Sequence, residues 1–183
     1  MFEQLLEKIA LALDKAGIPY MIVGGQAVLL YGEPRLTRDI DITLGMTLEK
    51  LDVVVGLTKG IGLEPLVDPD TFTRKTMVLP CQDPTTDIRV DFIFSFSPYE
   101  QQALERVRTV EMGNALLRFA SPEDLIIHKI VAGRPRDFED VKSVLIKNPE
   151  LDIKYIRNWL RRLASALKEP FLKRFNKVLK EIQ

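Results

Sequence analysis

Two six-residue segments, Asp39-Ile40-Asp41-Ile42-Thr43-Leu44 and Arg89-Val90-Asp91-Phe92-Ile93-Phe94, alternate polar and apolar residues with a period of two. Only an extended strand turns successive side chains to opposite faces, so each segment predicts a half-buried β-strand with its apolar residues on a core. That geometry sets Asp39 and Asp41 on one face while Ile40 and Ile42 take the other. Two carboxylates held side by side repel, and the arrangement is costly unless a cation stands between them. Hard divalent ions such as Mg²⁺ prefer carboxylate oxygen. A neighbouring strand that brought Asp91 beside the pair would make a three-acid set able to hold two metal ions.

The segment upstream supplies a second feature. Tyr20 to Val23 is a short apolar run ending at Gly24-Gly25, and Gln26 to Tyr31 suits a buried helix closed by Gly32 and Pro34. A glycine turn opening a helix leaves backbone N–H groups unpaired at the positive end of the helix dipole, which favours phosphate. Metal-bridging acids and a phosphate cradle facing one cleft are what a phosphoryl or nucleotidyl transferase needs.

Further along, helical spacing runs from Leu5 to Ala16, and helices are expected near Thr47–Thr58 and after the Ser97-Pro98 and Ser121-Pro122 start signals. Strands are expected near Thr73–Leu79, Thr109–Met112 and Leu116–Phe119, with turns at Asp83-Pro84 and Gly113-Asn114. Beyond Gly133 only helices follow, interrupted at Pro135, Pro149 and Pro170. The pattern predicts an α+β (mixed α/β) fold, with a mixed β-sheet flanked by helices over 1–120 and a helical region over 121–183 packed on it.

Composition narrows the chemistry. A single cysteine, Cys81, and a single histidine, His128, exclude an intramolecular disulfide and a Cys/His zinc cluster, so a metal must sit on carboxylates. No apolar run approaches the ~18 residues that cross a bilayer, and the amphipathic start is unlike a signal peptide, so a cytoplasmic protein with no membrane partner is expected. The net charge is zero, yet Lys154 to Gln183 holds nine basic residues against Glu169 and Glu181, a local +7 that leaves −7 elsewhere. Such asymmetry fits an anionic partner, or helices with solvated basic faces.

Val23-Gly24-Gly25, thirteen intervening residues, then Asp39-Ile40-Asp41-Ile42, with Val90-Asp91-Phe92 later, resembles the signature of the DNA polymerase β nucleotidyltransferase superfamily. Lys129, Arg136-Asp137 and Asp140 are similar to the helical motif of its small AbiEii-like group, which includes toxins of toxin–antitoxin systems. The resemblance spans about Ile22 to Val141 and implies a nucleotidyltransferase core that transfers NMP from an NTP such as ATP to a hydroxyl, releasing pyrophosphate. It gives Asp39 and Asp41 the role of ligands to two Mg²⁺ ions. It has Asp91 complete the catalytic metal's shell and help deprotonate the attacking hydroxyl. Gly24 and Gly25 would contact the β- and γ-phosphates, and Lys129 would neutralise the triphosphate or leaving pyrophosphate. Asp137 and Asp140 would position Lys129 or a substrate group. RNA, tRNA in particular, is the acceptor it implies for the basic C-terminal region; a protein is another, and an antitoxin is a further partner. Two other readings stand beside it: a non-catalytic nucleotide-binding or toxin–antitoxin partner protein, and an enzyme that modifies a small molecule such as an antibiotic.

Each residue also has a plainer reading. The glycines would serve a tight turn, and Asp137 and Asp140 would form a surface salt-bridge set with Arg134 and Arg136. Arg35 and Arg38 would contact phosphate or balance the acid pair. Trp159, Phe171 and Phe175 are expected in a core, as is Cys81.

Overall fold

The computed structural model describes residues 2–182; Met1 and Gln183, at the ends of the expected first helix and of the basic tail, lie outside the described residues. The chain forms two compact units, one of Met1–Gln26 with Thr37–Ala120 and the other of Ala27–Leu36 with Ser121–Gln183.

In the first unit α1 (Phe2–Lys15) precedes β1 (Tyr20–Val23), which runs into α2 (Gly24–Tyr31), a helix whose body from Ala27 onward belongs to the second unit. Then come β2 (Asp39–Leu44), a 3₁₀ turn at Leu48–Lys50, α3 (Leu51–Gly60), β3 (Glu64–Pro65), α4 (Pro69–Thr76), β4 (Val78–Gln82), β5 (Arg89–Phe94), α5 (Pro98–Glu105), β6 (Arg108–Met112) and β7 (Ala115–Phe119). The strands make one seven-stranded mixed sheet in the order β3-β4-β5-β2-β1-β7-β6. β2 is parallel to β5 and β1 to β7, while the remaining pairs are antiparallel. Parallel pairing needs a long crossover, and the segment from the 3₁₀ turn to β4 supplies it between β2 and β5.

The period-two pattern sets the core. Ile40, Ile42, Val90 and Phe92 are fully buried on the two central strands, and β1 is buried along its whole length. α1 turns Leu5, Leu6, Ile9, Ala10 and Leu13 inward and packs on β7. α5 begins with the expected capping box, Ser97 and Glu100 bonding each other's backbone N–H positions. One expectation fails: Thr73–Thr76, read as the start of a strand, lies in α4, and extended chain begins only at Val78. Asp68 caps that helix by accepting from Thr71 N at 2.8 Å, with Pro69 in the first turn. These start signals outweigh the strand propensity of Thr73 and Thr76.

The second unit is helical: α6 (Pro122–Ala132), α7 (Pro135–Lys147), α8 (Ile153–Leu167) and α9 (Phe171–Glu181) pack on one another. Ser121 caps α6 and Gly133, at φ +67°, ends it. Asp124 on α6 is fully buried, accepting from Ser121 Oγ at 2.6 Å and from Tyr155 Oη on α8 at 2.8 Å, so the two helices are tied through a satisfied carboxylate. Trp159, Phe171 and Phe175 are buried in this core, as expected. No helix among the described residues is long and apolar enough to cross a membrane.

Candidate active site

Register brings the three acids together. Asp41 pairs with Asp91 across the parallel β2/β5 ladder, and Asp39 pairs with Arg89. Residues opposite each other on adjacent strands share a face and stand about 4.8 Å apart at the backbone. Asp39, Asp41, Arg89 and Asp91 therefore form one polar patch, backed by the buried Ile40, Ile42, Val90 and Phe92. Asp39 is exposed, while Asp41 and Asp91 are half-buried.

Arg89 is the member that sequence reasoning missed. Its Nε donates to Asp91 Oδ1 at 2.8 Å. That hydrogen bond is the largest cause holding the guanidinium pKa above its usual value; burial opposes it, and the charges of Asp91, Asp39 and Asp41 add to it. One cation thus feels all three carboxylates. The signal was available, since Arg89 sits two residues before Asp91 on the same alternating strand.

Among the described residues no three acidic, histidine or cysteine side chains are already gathered as a metal shell, and Asp91 is engaged by Arg89. The donor set nevertheless fits a divalent ion: hard oxygen donors in register on one face, exposed enough to admit it.

The glycine turn abuts these acids. Val23, the last residue of β1, pairs with Asp41, and Gly24 follows at φ +63°. A Cβ at Gly24 would fall on the Asp41 carboxylate, 2.8 Å from its Cγ. Backbone conformation and close approach thus both require glycine. Gly25, in the first turn of α2, is buried, and that turn carries no acidic residue to repel an anion.

Lys129, Asp137 and Asp140 belong to the second unit and are buried together there. Lys129 Nζ lies 2.8 Å from Asp137 Oδ1 and 2.8 Å from Asp140 Oδ2. Asp137 Oδ2 also accepts from Arg134 N at 3.1 Å and Nε at 2.9 Å. Burial pushes the Asp137 carboxyl up, but the hydrogen bonds and charge of Lys129 and the bonds from Arg134 outweigh it and hold the group below its ordinary value. Arg35, expected near phosphate or the acid pair, instead grips Asp140, Nε to Oδ1 at 2.8 Å and Nη2 to Oδ2 at 3.0 Å. Asp137 and Asp140 are thus not the exposed salt-bridge set of the plainer reading. Arg38 is exposed, and Cys81 is a buried thiol whose pKa is pushed up to about 12, mainly by burial.

Solved structures share this fold. The antibiotic-resistance factor ANT(2'')-Ia, in its solution structure, matches with a TM-score of 0.60 at 18% identity, over 91% of this chain and 94% of that one. An antigenic nucleotidyltransferase-like protein from Paracoccidioides brasiliensis matches with a TM-score of 0.57 at 17% identity, over 97% and 91%. A nucleotidyltransferase described as putative from H. pylori gives 0.54 at 16% identity, over 97% and 81%. No curated protein matches the chain. The architecture is that of the nucleotidyltransferase class. The chain belongs to the family described as "Nucleotidyltransferase of unknown function (DUF6036)", whose model matches residues 1–177.

Proposed function

We propose that this protein transfers an NMP from an NTP to a hydroxyl group, with Mg²⁺ held by Asp39, Asp41 and Asp91. The observation that carries the reading is the seating of Gly24 against Asp41, with Asp41 in register with Asp91: phosphate cradle and acids adjoin through the backbone itself. Divalent ions held by Asp39, Asp41 and Asp91 would offset the phosphate charge that an incoming nucleophile meets. The N–H groups opening α2 at Gly24 and Gly25 receive the β- and γ-phosphates. Asp91 accepts the proton of the acceptor hydroxyl, whose oxygen bonds the α-phosphorus as the bond to the bridging oxygen breaks. Pyrophosphate departs with that electron pair. Lys129, by resemblance the cation for the pyrophosphate, is held by Asp137 and Asp140, each 2.8 Å from its Nζ.

The acceptor we favour is RNA, with tRNA the member that the AbiEii-like resemblance names. Support comes from the exposed cations of α8 and α9, Lys154, Arg157, Arg161 and Lys173 among them. The test is label transfer from each of four α-³²P NTPs, with Mg²⁺, to total RNA, a protein extract and an aminoglycoside panel. Label on RNA that disappears in the Asp39→Ala/Asp41→Ala double variant is the expected result. Label on protein or aminoglycoside would replace the acceptor. Undiminished label with the double variant would overturn the metal assignment, and NTP binding without transfer to any acceptor would favour the non-catalytic partner of an antitoxin.

A further inference from the structure

Within the helical unit, α7 and α9 leave a cavity of about 550 Å³ between them, with the turn that joins α6 to α7 at one end. That volume lies in the range of small-ligand pockets, about 300–1,000 Å³. Helical spacing accounts for its walls. α9 buries Phe171, Phe175 and Val178, which sets Arg174, Lys177 and Glu181 along the margin of the buried stripe. α7 buries Val141, Val144 and Leu145 and leaves Phe138, one turn earlier, half-buried on the cavity wall. The charged groups are held in place. Lys142 Nζ lies 2.9 Å from Glu139 Oε1 and 2.7 Å from Glu181 Oε2, tying α7 to α9 at one end. At the other end Arg174 bonds Glu169 at 2.6 Å, its guanidinium 5.3 Å from the centre of the Phe171 ring. It lies against Gly133, where a Cβ would fall 3.3 Å from Arg174 Nη1. Arg174 and Lys177 also line a second cavity beside α9, together with Lys173 and Lys180.

We infer that the cavity between α7 and α9 receives a nucleobase of a single-stranded RNA, stacked on Phe138, while the lysines of α9 follow the sugar-phosphate backbone. Single strands are gripped in general by cations that track phosphates and by an aromatic face that takes a base. The lining selects this occupant. A base is planar and uncharged, so it enters beside Phe138 without displacing the bridge from Glu139 through Lys142 to Glu181. Both glutamates are hydrogen-bond acceptors for the amino group of a base. A wholly apolar occupant would strip water from these charges and return no hydrogen bond. Lys177, common to both cavities, links the base pocket to the cations that meet phosphate. This rests on the RNA reading above and says where a base of that RNA is held.

The experiment is fluorescence anisotropy of two end-labelled RNA probes of equal length, an oligoadenylate and the same sugar-phosphate chain without bases, titrated with the full chain at low salt. Wild type is expected to bind the oligoadenylate about tenfold more tightly than the abasic strand. Phe138→Ala should lose about that factor on the oligoadenylate and stay within about twofold of wild type on the abasic strand. Phe138→Trp should keep the preference for bases, and Phe138→Leu, apolar but without a π face, should not. Since salt dependence comes from phosphate contacts, Phe138→Ala should leave the slope of log affinity against log salt unchanged. Failure of wild type to bind either probe takes down the RNA reading and this inference with it. Three results would overturn the base pocket and leave the RNA reading intact: equal binding of both probes by wild type, oligoadenylate binding by Phe138→Ala at wild-type strength, or an equal loss on both probes. Circular dichroism checks that each variant is folded. Should Phe138→Ala fail to fold, Phe138→Leu against Phe138→Trp decides alone.

Discussion

At single residues the structure turns sequence features into specific liabilities. Gly24 carries two constraints, and Gly24→Ala violates both: the left-handed φ costs about 1–2 kcal/mol, and the methyl group displaces the Asp41 carboxylate. The expected outcome is a folded protein with a lowered melting temperature and no Mn²⁺ binding; a variant that keeps the wild-type Mn²⁺ affinity would refute the close approach. Asp137 makes a pH prediction. Its pKa is lower folded than unfolded, so its stabilisation is complete above the ordinary aspartate value and fades as pH falls through the lower folded value. Asp137→Asn should therefore cost about 3 kcal/mol at neutral pH, with the gap to wild type narrowing below about pH 4 in denaturant titrations. Cys81 is protonated at neutral pH, so Ellman's reagent should find no thiol in the native protein and one after denaturation. The acids and glycines of the candidate site stood out in the sequence because alternation and spacing are local. Arg35 did not: its partner lies 105 residues away, and nothing near it in sequence distinguishes a grip on Asp140 from one on Asp39.

Elements were legible where a period or a cap announces them. β2 and β5 read directly from alternation, α5 and α6 from Ser-Pro starts, and the β6–β7 hairpin from Gly113-Asn114. α4 was hidden because it has almost no apolar stripe, burying only Thr73. Its order comes from the Asp68 cap, Pro69 and the Asp70–Arg74 pair at 2.8 Å. A helix held by its ends is sensitive to them: Asp68→Ala should lower the melting temperature, whereas Phe72→Ala, on an exposed position, should lower it less. If the two substitutions cost the same, capping is not what orders this helix. The assignment of residues 27–36 to the helical unit follows from contacts that α7 and Asn148 make across more than a hundred residues. No local pattern encodes such contacts.

Across the whole chain, the separation of charge is the feature that bears on the acceptor. The last thirty residues carry +7 and the rest −7, so a polyanion is repelled by most of the chain and attracted to α8 and α9. Several of the cations there are already committed, Arg174 to Glu169 at 2.6 Å and Arg162 over the Trp159 ring at 5.1 Å. Beside α9 a cavity of about 760 Å³ is lined by Lys173, Arg174, Lys177 and Lys180 and by no acidic residue. Lys173, Lys177 and Lys180 recur four and three residues apart, which puts them in one row along the helix. If RNA lies along that row, each lysine neutralises about one phosphate, and each contributes roughly −0.7 to the slope of log affinity against log salt for a single strand. Replacing all three by Gln should therefore flatten the slope by about 2. Stability should change little, because Lys173, Lys177 and Lys180 are exposed on the helix surface. Fluorescence anisotropy of labelled RNA between 20 and 200 mM NaCl, on wild type and the triple variant, measures both slopes. A slope that does not move would place the RNA on another face, and the acceptor would then have to be recognised without this row of cations.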